Sequence, residues 1–297
     1  MIDSVKSSLD YFSTEFGPYQ HKQMRIIEFP RYESFAQSFA NTVPYSESMG
    51  FITDIDDEDD VNIPYLVTAH EVAHQWWGHQ LDGANVEGGA VLSESLSHYS
   101  AFKVVEHVFG EDKMDNYIKR ELDEYLMGRS TETHAERPLE TVANQQYIYY
   151  NKGALVMMAI GDLIGDDKVN GALANLLAKF KYQSNPYPTT KDLKAALFEV
   201  APESAHEFIR QQFEEINVYD LHAKQAEVTE LDNGEFEVRL SVNALRLQND
   251  GQGQETEMPF ESEVAIALYR DMEDGVSMSE ALIQTSEVFL NEKDNEV

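Results

Sequence analysis

The string His70-Glu71-Val72-Ala73-His74 holds the residues best able to do chemistry in this chain. Residues four apart on a helix project from one face, so the imidazoles of His70 and His74 can hold one zinc ion. Glu71 then lies beside them, able to take a proton from a water at the metal. Composition alone would produce such a string roughly 0.03 times per chain, so a further ligand has to be found before the spacing means a site. A catalytic zinc takes three protein ligands and leaves a position for water. One arrangement puts a glycine three residues and a histidine six residues after the second histidine, but Trp77 and Gln80 stand there, and Gly78 and His79 miss by one. The other arrangement takes a glutamate from a second helix. Glu94 is the only carboxylate between Glu87 and Glu106, and it sits in Leu92-Ser-Glu-Ser95 near the start of the next helix. That helix can pack antiparallel to the first through a turn containing Gly83, Gly88 and Gly89. His98, one turn after Glu94, could orient a ligand without being one, but an exposed helix histidine is the expectation, and His79 and His107 receive no role.

The elements that must position these residues follow from periodicity. Val5, Leu9, Phe12 and Phe16 mark an opening helix over 3–16, stopped by Gly17-Pro18. Met24 to Phe29 and Val43 to Ile55 read as strands, and Glu47 interrupts the apolar face of the second, where an unpaired charge would be costly. Asp54-Ile-Asp-Asp-Glu-Asp-Asp60 reads as a solvated loop ahead of the helix that begins near Pro64. Helical patterns then cover Pro64 to Leu81, Ala90 to Phe109, Asp112 to Met127, Tyr150 to Ile164, Lys168 to Phe180, Thr190 to Val200 and Glu203 to Glu215. After Tyr219 the period becomes two, in 235–242 and 263–269, with Asp232-Asn-Gly234 as a hairpin turn. The expected division is residues 1–217 as the domain carrying the chemistry and 218–297 as a β-rich unit that stops soon after a strand, as if cut from a longer chain.

Composition narrows the function classes. With 54 acidic against 22 basic side chains the formal charge is −32, which repels phosphates and excludes nucleic acid and anionic membranes as ready partners. The absence of cysteine removes disulfides, thiolate nucleophiles and sulfur-ligated metals. No apolar run approaches the ~18 residues of a membrane span, and the first residues lack the charged and apolar parts of a signal peptide. No direct membrane insertion is expected of this chain.

HEVAHQWWGHQ, then LSES, then YYNKG at 149–153 resemble the aminopeptidase N family of zinc gluzincins, whose pattern is H-E-x-x-H-Q-W-(F/W)-G, L-N-E-G and Y-x-K-G. The resemblance runs from about residue 1 to 217. The family also carries G-A-M-E-N on a strand upstream, and aligning Met49-Gly50-Phe51-Ile52 on the W-G-L-I that follows it places Glu47 on the family's glutamate, although Pro44, Tyr45, Ser46 and Ser48 replace its neighbours. Nineteen residues rather than eighteen separate His74 from Glu94, a spacing thermolysin-type gluzincins share, and the 83–90 turn can absorb the extra one. PYSES with HQWWGHQ is most similar to peptidase-like domains attached to bacterial ABC-type permease proteins.

The resemblance implies an α+β, thermolysin-like fold: a small N-terminal sheet forming one lip of a cleft, a helical lobe, zinc between them, and a β-rich C-terminal unit. It implies one Zn2+ per chain on His70, His74 and Glu94, with Glu71 as general base. Tyr150 would donate to the oxyanion, and Glu47 would bind the α-ammonium of a peptide with a free amino end. Two other readings remain: an endopeptidase of the same chemistry if Glu47 misses the cleft, and a weakly active binding or regulatory domain of a membrane transporter. The permease resemblance further implies a soluble piece of a bacterial inner-membrane protein, the alternative being a cytoplasmic enzyme.

Overall fold

Phe12 and Phe16 close helix α1 (Ile2–Glu15) onto the segment that follows the histidine pair: their rings lie 5.4 Å from Trp76 and 5.1 Å from Trp77. Both indoles are fully buried and both are hydrogen-bonded, Trp76 Nε1 to the Gly17 carbonyl and Trp77 Nε1 to Ser100 Oγ, each at 2.9 Å. A buried indole needs such a partner, and here the partners fix the end of the histidine helix against two neighbours. The computed structural model describes residues 1–53, 61–270 and 281–297. The expected loop at Asp54–Asp60 lies outside the described residues. The described residues divide into two units, Met1–Glu214 and Glu215–Val297.

In the first unit, strands β1 (Arg25–Phe29) and β2 (Thr42–Ser46) pair in parallel. The connection between them doubles back along the other edge of β2, with Gln37 N–H donating to the Pro44 carbonyl and Ser46 N–H to the Phe35 carbonyl. Because 35, 37 and 39 bond to β2, the backbone groups of Ala36 and Ser38 point the other way. The second strand is shorter than the sequence predicts. It ends at Ser46, whose side chain caps a four-residue helix, α2 (Glu47–Gly50), by accepting from Ser48 N–H.

Helix α3 (Ile63–Ala73) starts at an Asn62 cap with Pro64 in its first turn, and it too is shorter than expected. Its pattern continues to Leu81, but Trp76 and Trp77 both donate to the Ala73 carbonyl and Gly78 adopts φ +120°, ending the helix at His74. His74 keeps helical dihedrals (φ −56°, ψ −20°), so it stays on the face of His70. A π-helical turn, Val91–Ser95, leads into α4 (Leu96–Phe109); α5 is Met114–Thr131. A second π-turn, Ile148–Lys152, leads into α6 (Gly153–Ile164). A Cβ on Gly153 would meet Ser95 Oγ at 2.1 Å, so glycine is what lets the two π-turns touch. There Ser95 Oγ donates to the Tyr149 carbonyl at 2.5 Å. Helices α7 (Asp166–Phe180), α8 (Thr190–Val200, with a Thr189/Asp192 capping box) and α9 (Glu203–Glu214) complete the lobe. No helix among the described residues is long and apolar enough to cross a membrane.

In the second unit, β3 (Ile216–Glu230) and β4 (Phe236–Asn249) form a long antiparallel hairpin, extended by β5 (Glu255–Met258) and β8 (Asp294–Glu296) on β4. Strands β6 (Ser262–Tyr269) and β7 (Leu282–Leu290) pair separately. The sequence shows β4 and β6 but not β3, whose residues beyond Val218 have no buried face and hence no apolar alternation to read.

Lys152 is a buried cation that the sequence pattern does not expose. It is 6 % exposed, its Nζ has no hydrogen-bond partner, and it lies 5.8 Å from the Tyr125 ring. Burial pulls its ammonium down to about 8 from 10.5. The folded protein therefore binds fewer protons here than the unfolded chain between these values, so the destabilisation is full below about pH 8 and fades as pH rises toward 10.5. Lys152→Met should raise unfolding free energy by ~1–3 kcal/mol at pH 7, and urea melts at pH 7 and pH 10 should show the gain shrinking.

Candidate active site

His70 and His74, one turn apart on α3, bring their Nε2 atoms to 3.0 Å, and Glu94 Oε2, from the first π-turn, lies 3.3 Å from each. The three donor atoms converge although they come from two elements. His74 Nδ1 donates to the Trp77 carbonyl at 2.9 Å, which leaves a lone pair on its Nε2. Glu94 Oε2 is buried and has no hydrogen-bond partner. Two imidazole nitrogens and a carboxylate oxygen facing one another repel unless a cation lies among them. A tetrahedral ion with bonds of ~2.0–2.1 Å sets its ligand atoms roughly 3.3 Å apart, the spacing seen here, so the residues fit zinc.

Burial pushes His70 down to about 4, so its imidazole is neutral. Burial also opposes ionisation of Glu94, but the two imidazoles outweigh it and hold the carboxyl well below the usual range. For His74 the same partner wins in the other direction: burial lowers its basicity, Glu94 more than restores it. Glu71 lies outside the convergent trio, 6 % exposed, with its carboxyl pushed up to about 7 chiefly by burial. Tyr150, in the second π-turn, places its ring 5.7 Å from that of His70, tilted by 32°. Burial first, and the Glu94 charge second, push its phenol up, so it stays a protonated donor.

An open cleft of ≈ 390 Å3 runs over these groups, walled by Glu71, His74, Glu94 and Tyr150 on one side and by Phe35 to Ser38 on the other. Gln75 secures that lip: its Nε2 donates to Ser38 Oγ and to the Phe39 carbonyl, and its Oε1 accepts Asn41 N–H. The cleft-lining Gln37, Ser38, Ser93 and His79 were not singled out from the sequence. His79 alone carried a signal, being five residues past His74 beyond the end of α3. Glu47 is not where the sequence predicted. It begins α2 instead of interrupting a strand face, it accepts Arg31 N–H at 3.2 Å, and the 35–39 segment stands between β2 and the cleft. The structure therefore does not bring Glu47 to the cleft lining. His98 likewise is not an exposed helix histidine: it packs against His70, ring centroids 5.3 Å apart.

The sequence model of the Peptidase family M1 domain matches residues 1–213. The chain is similar to Probable aminopeptidase 1 of Sulfurisphaera tokodaii, 26% identical over 191 residues that cover 62% of this chain and 24% of that protein. It is similar also to Aminopeptidase M1-B of Oryza sativa subsp. japonica, 26% identical over 246 residues, 76% of this chain and 27% of that one. The chain thus spans about a quarter of the length of these relatives. Its fold matches the crystal structure of an M1 zinc metallopeptidase from Deinococcus radiodurans with a TM-score of 0.54 at 21% identity, over 71% of this chain and 43% of that one. A family match over residues 1–213 of 297, coinciding with the unit that holds the His70, His74 and Glu94 cluster, shows that this chain belongs to peptidase family M1.

Proposed function

We propose that the chain is a zinc-dependent metallopeptidase that removes residues from the amino end of peptides. The observation that carries the reading is the convergence of His70 Nε2, His74 Nε2 and Glu94 Oε2 beside a buried carboxyl and a protonated phenol. Zinc on those three atoms supplies Lewis acidity to a substrate carbonyl and to water. Glu71, poised near neutrality by burial, takes the proton that the attacking water gives up and can return it to the departing amine. Tyr150 donates a hydrogen bond from its hydroxyl to the carbonyl oxygen as negative charge grows there. The outward-facing backbone groups of Ala36 offer an extended peptide a place to pair at that lip, while those of Ser38 meet the Glu71 and His79 side chains.

With Glu47 off the cleft lining, the amino-terminal preference is supported by the aminopeptidase names of the similar proteins, and the carboxylates at the cleft that an α-ammonium can meet in its place are Glu94 and Glu71. Peptides with free and acetylated amino ends, offered to the zinc-loaded protein, test it. Free peptides should be trimmed stepwise and acetylated ones spared; equal internal cleavage of both would replace the reading with an endopeptidase. The similarity of PYSES and HQWWGHQ to permease-attached domains supports a place within a larger membrane-associated protein.

Tyr150→Phe removes one hydroxyl and leaves the ring packed on His70. Turnover should fall ~10²–10³-fold with KM changed little, because the oxyanion exists only beyond the ground state. Steady-state kinetics that show an unchanged kcat would take the oxyanion role away from Tyr150.

A further inference from the structure

Behind His70, on the side away from the cleft, a chain of polar side chains runs into the helical lobe. His98 of α4 brings its Nδ1 to 3.3 Å from His70 Nδ1. Its Nε2 lies 3.1 Å from Glu121 Oε2 on α5, with the ring N–H aimed off the line between the two atoms, so this contact is a charge beside a dipole more than a linear hydrogen bond. Asn151 Nδ2 donates to the same Glu121 oxygen at 2.5 Å. Glu121 is 3 % exposed, and a carboxylate so buried is retained only with partners that favour its charge.

The placement of protons along this chain has one self-consistent solution. For His70 Nε2 to offer a lone pair to a metal, its proton must sit on Nδ1, and that proton then needs an acceptor. His98 Nδ1 is the acceptor within reach, which puts the proton of His98 on Nε2, facing Glu121. The opposite arrangement would point a lone pair of His98 at the carboxylate and turn the His70 Nε2 proton toward Glu94 and His74, where no metal could bind. A negative charge at Glu121 favours the first arrangement over the second. Asn151 belongs to the π-turn that bears Tyr150, so the same carboxylate tethers that turn as well.

We propose that Glu121, acting through His98, fixes the tautomer of His70 and thereby sets the zinc affinity of the site, both being positioning residues outside the ligand set. The inference rests on the reading of His70, His74 and Glu94 as zinc ligands. Outer partners of ligating histidines typically change metal affinity 10–100-fold when removed.

The test is chelator competition for zinc with the whole chain, comparing the parent with Glu121→Gln, His98→Leu and His98→Asn, together with the visible spectrum of the cobalt(II) forms and thermal melts of the metal-free proteins. Glu121→Gln and His98→Leu should each weaken zinc ~10–100-fold and shift the cobalt bands. His98→Asn should recover most of the affinity, since its amide oxygen can stand where Nδ1 stood. The metal-free melts identify any loss that is merely structural, because a packing defect lowers them without following the Leu-to-Asn recovery. Folded Glu121→Gln and His98→Leu variants holding zinc within threefold of the parent would overturn the relay and leave the zinc site standing. Weakening by Glu121→Gln with His98→Leu unaffected would overturn the route through His98. A parent that binds no zinc overturns the relay and the metallopeptidase reading together.

Discussion

Glu71→Gln should cut peptide hydrolysis by ~10²–10⁴-fold, the usual contribution of a positioned general base, while zinc content stays at one per chain. The amide keeps the size of the carboxyl, so the packing of a 6 %-exposed side chain is preserved, and Glu71 contributes none of the three convergent donor atoms. The two measurements separate the roles. Rate without metal loss means a base, whereas parallel loss of both would mean that Glu71 supports the ligand cluster. A variant as fast as the parent would remove Glu71 from the mechanism.

His74→Ala should abolish tight zinc binding. The remaining pair, His70 Nε2 and Glu94 Oε2 at 3.3 Å, can chelate weakly but cannot complete a set of three protein ligands. Metal analysis after dialysis should find well under one zinc per chain, with hydrolysis lost in proportion. The folded state should also lose the stabilisation that zinc confers on the parent, so added zinc should raise the melting temperature of the parent and leave that of the variant unchanged. Stoichiometric zinc in His74→Ala would mean that the metal sits elsewhere.

The convergence of His70, His74 and Glu94 was legible because it is written in spacing. An offset of four from His70 to His74 means one helical face, and the scarcity of carboxylates between 87 and 106 left Glu94 alone. What surrounds the centre was not legible, for reasons that differ from element to element. Helix α3 stops at Ala73 inside an unbroken apolar pattern because Trp76 and Trp77 turn inward to the core, and buried residues in a turn look the same in sequence as buried residues in a helix. The lip from Phe35 to Ser38 has no motif: its role comes from backbone groups left over by pairing with β2, and backbone groups leave no trace in residue types. Glu47 was misplaced because alternation at 43–51 fits a strand, while a Ser46 cap starts a helix after the first half of it. His98 and Glu121, 23 residues apart, meet only through the packing of α4 against α5, which no single-chain periodicity reports.

The two π-turns carry a consequence for how this protein can change in length. Each winds one more residue into its turn than the α-helix that follows, and each holds a residue of the centre, Glu94 in one and Tyr150 in the other. Loss of a single codon from 91–95 would leave a segment able to continue as ordinary helix, yet it would carry Glu94 about 100° around the axis, away from both imidazoles. The same loss in the glycine-bearing bend at 83–89 only shortens a connection. Descendants of this gene can therefore drift in length on one side of residue 90 and are held to a fixed count on the other, by the phase of a helix and not by its stability.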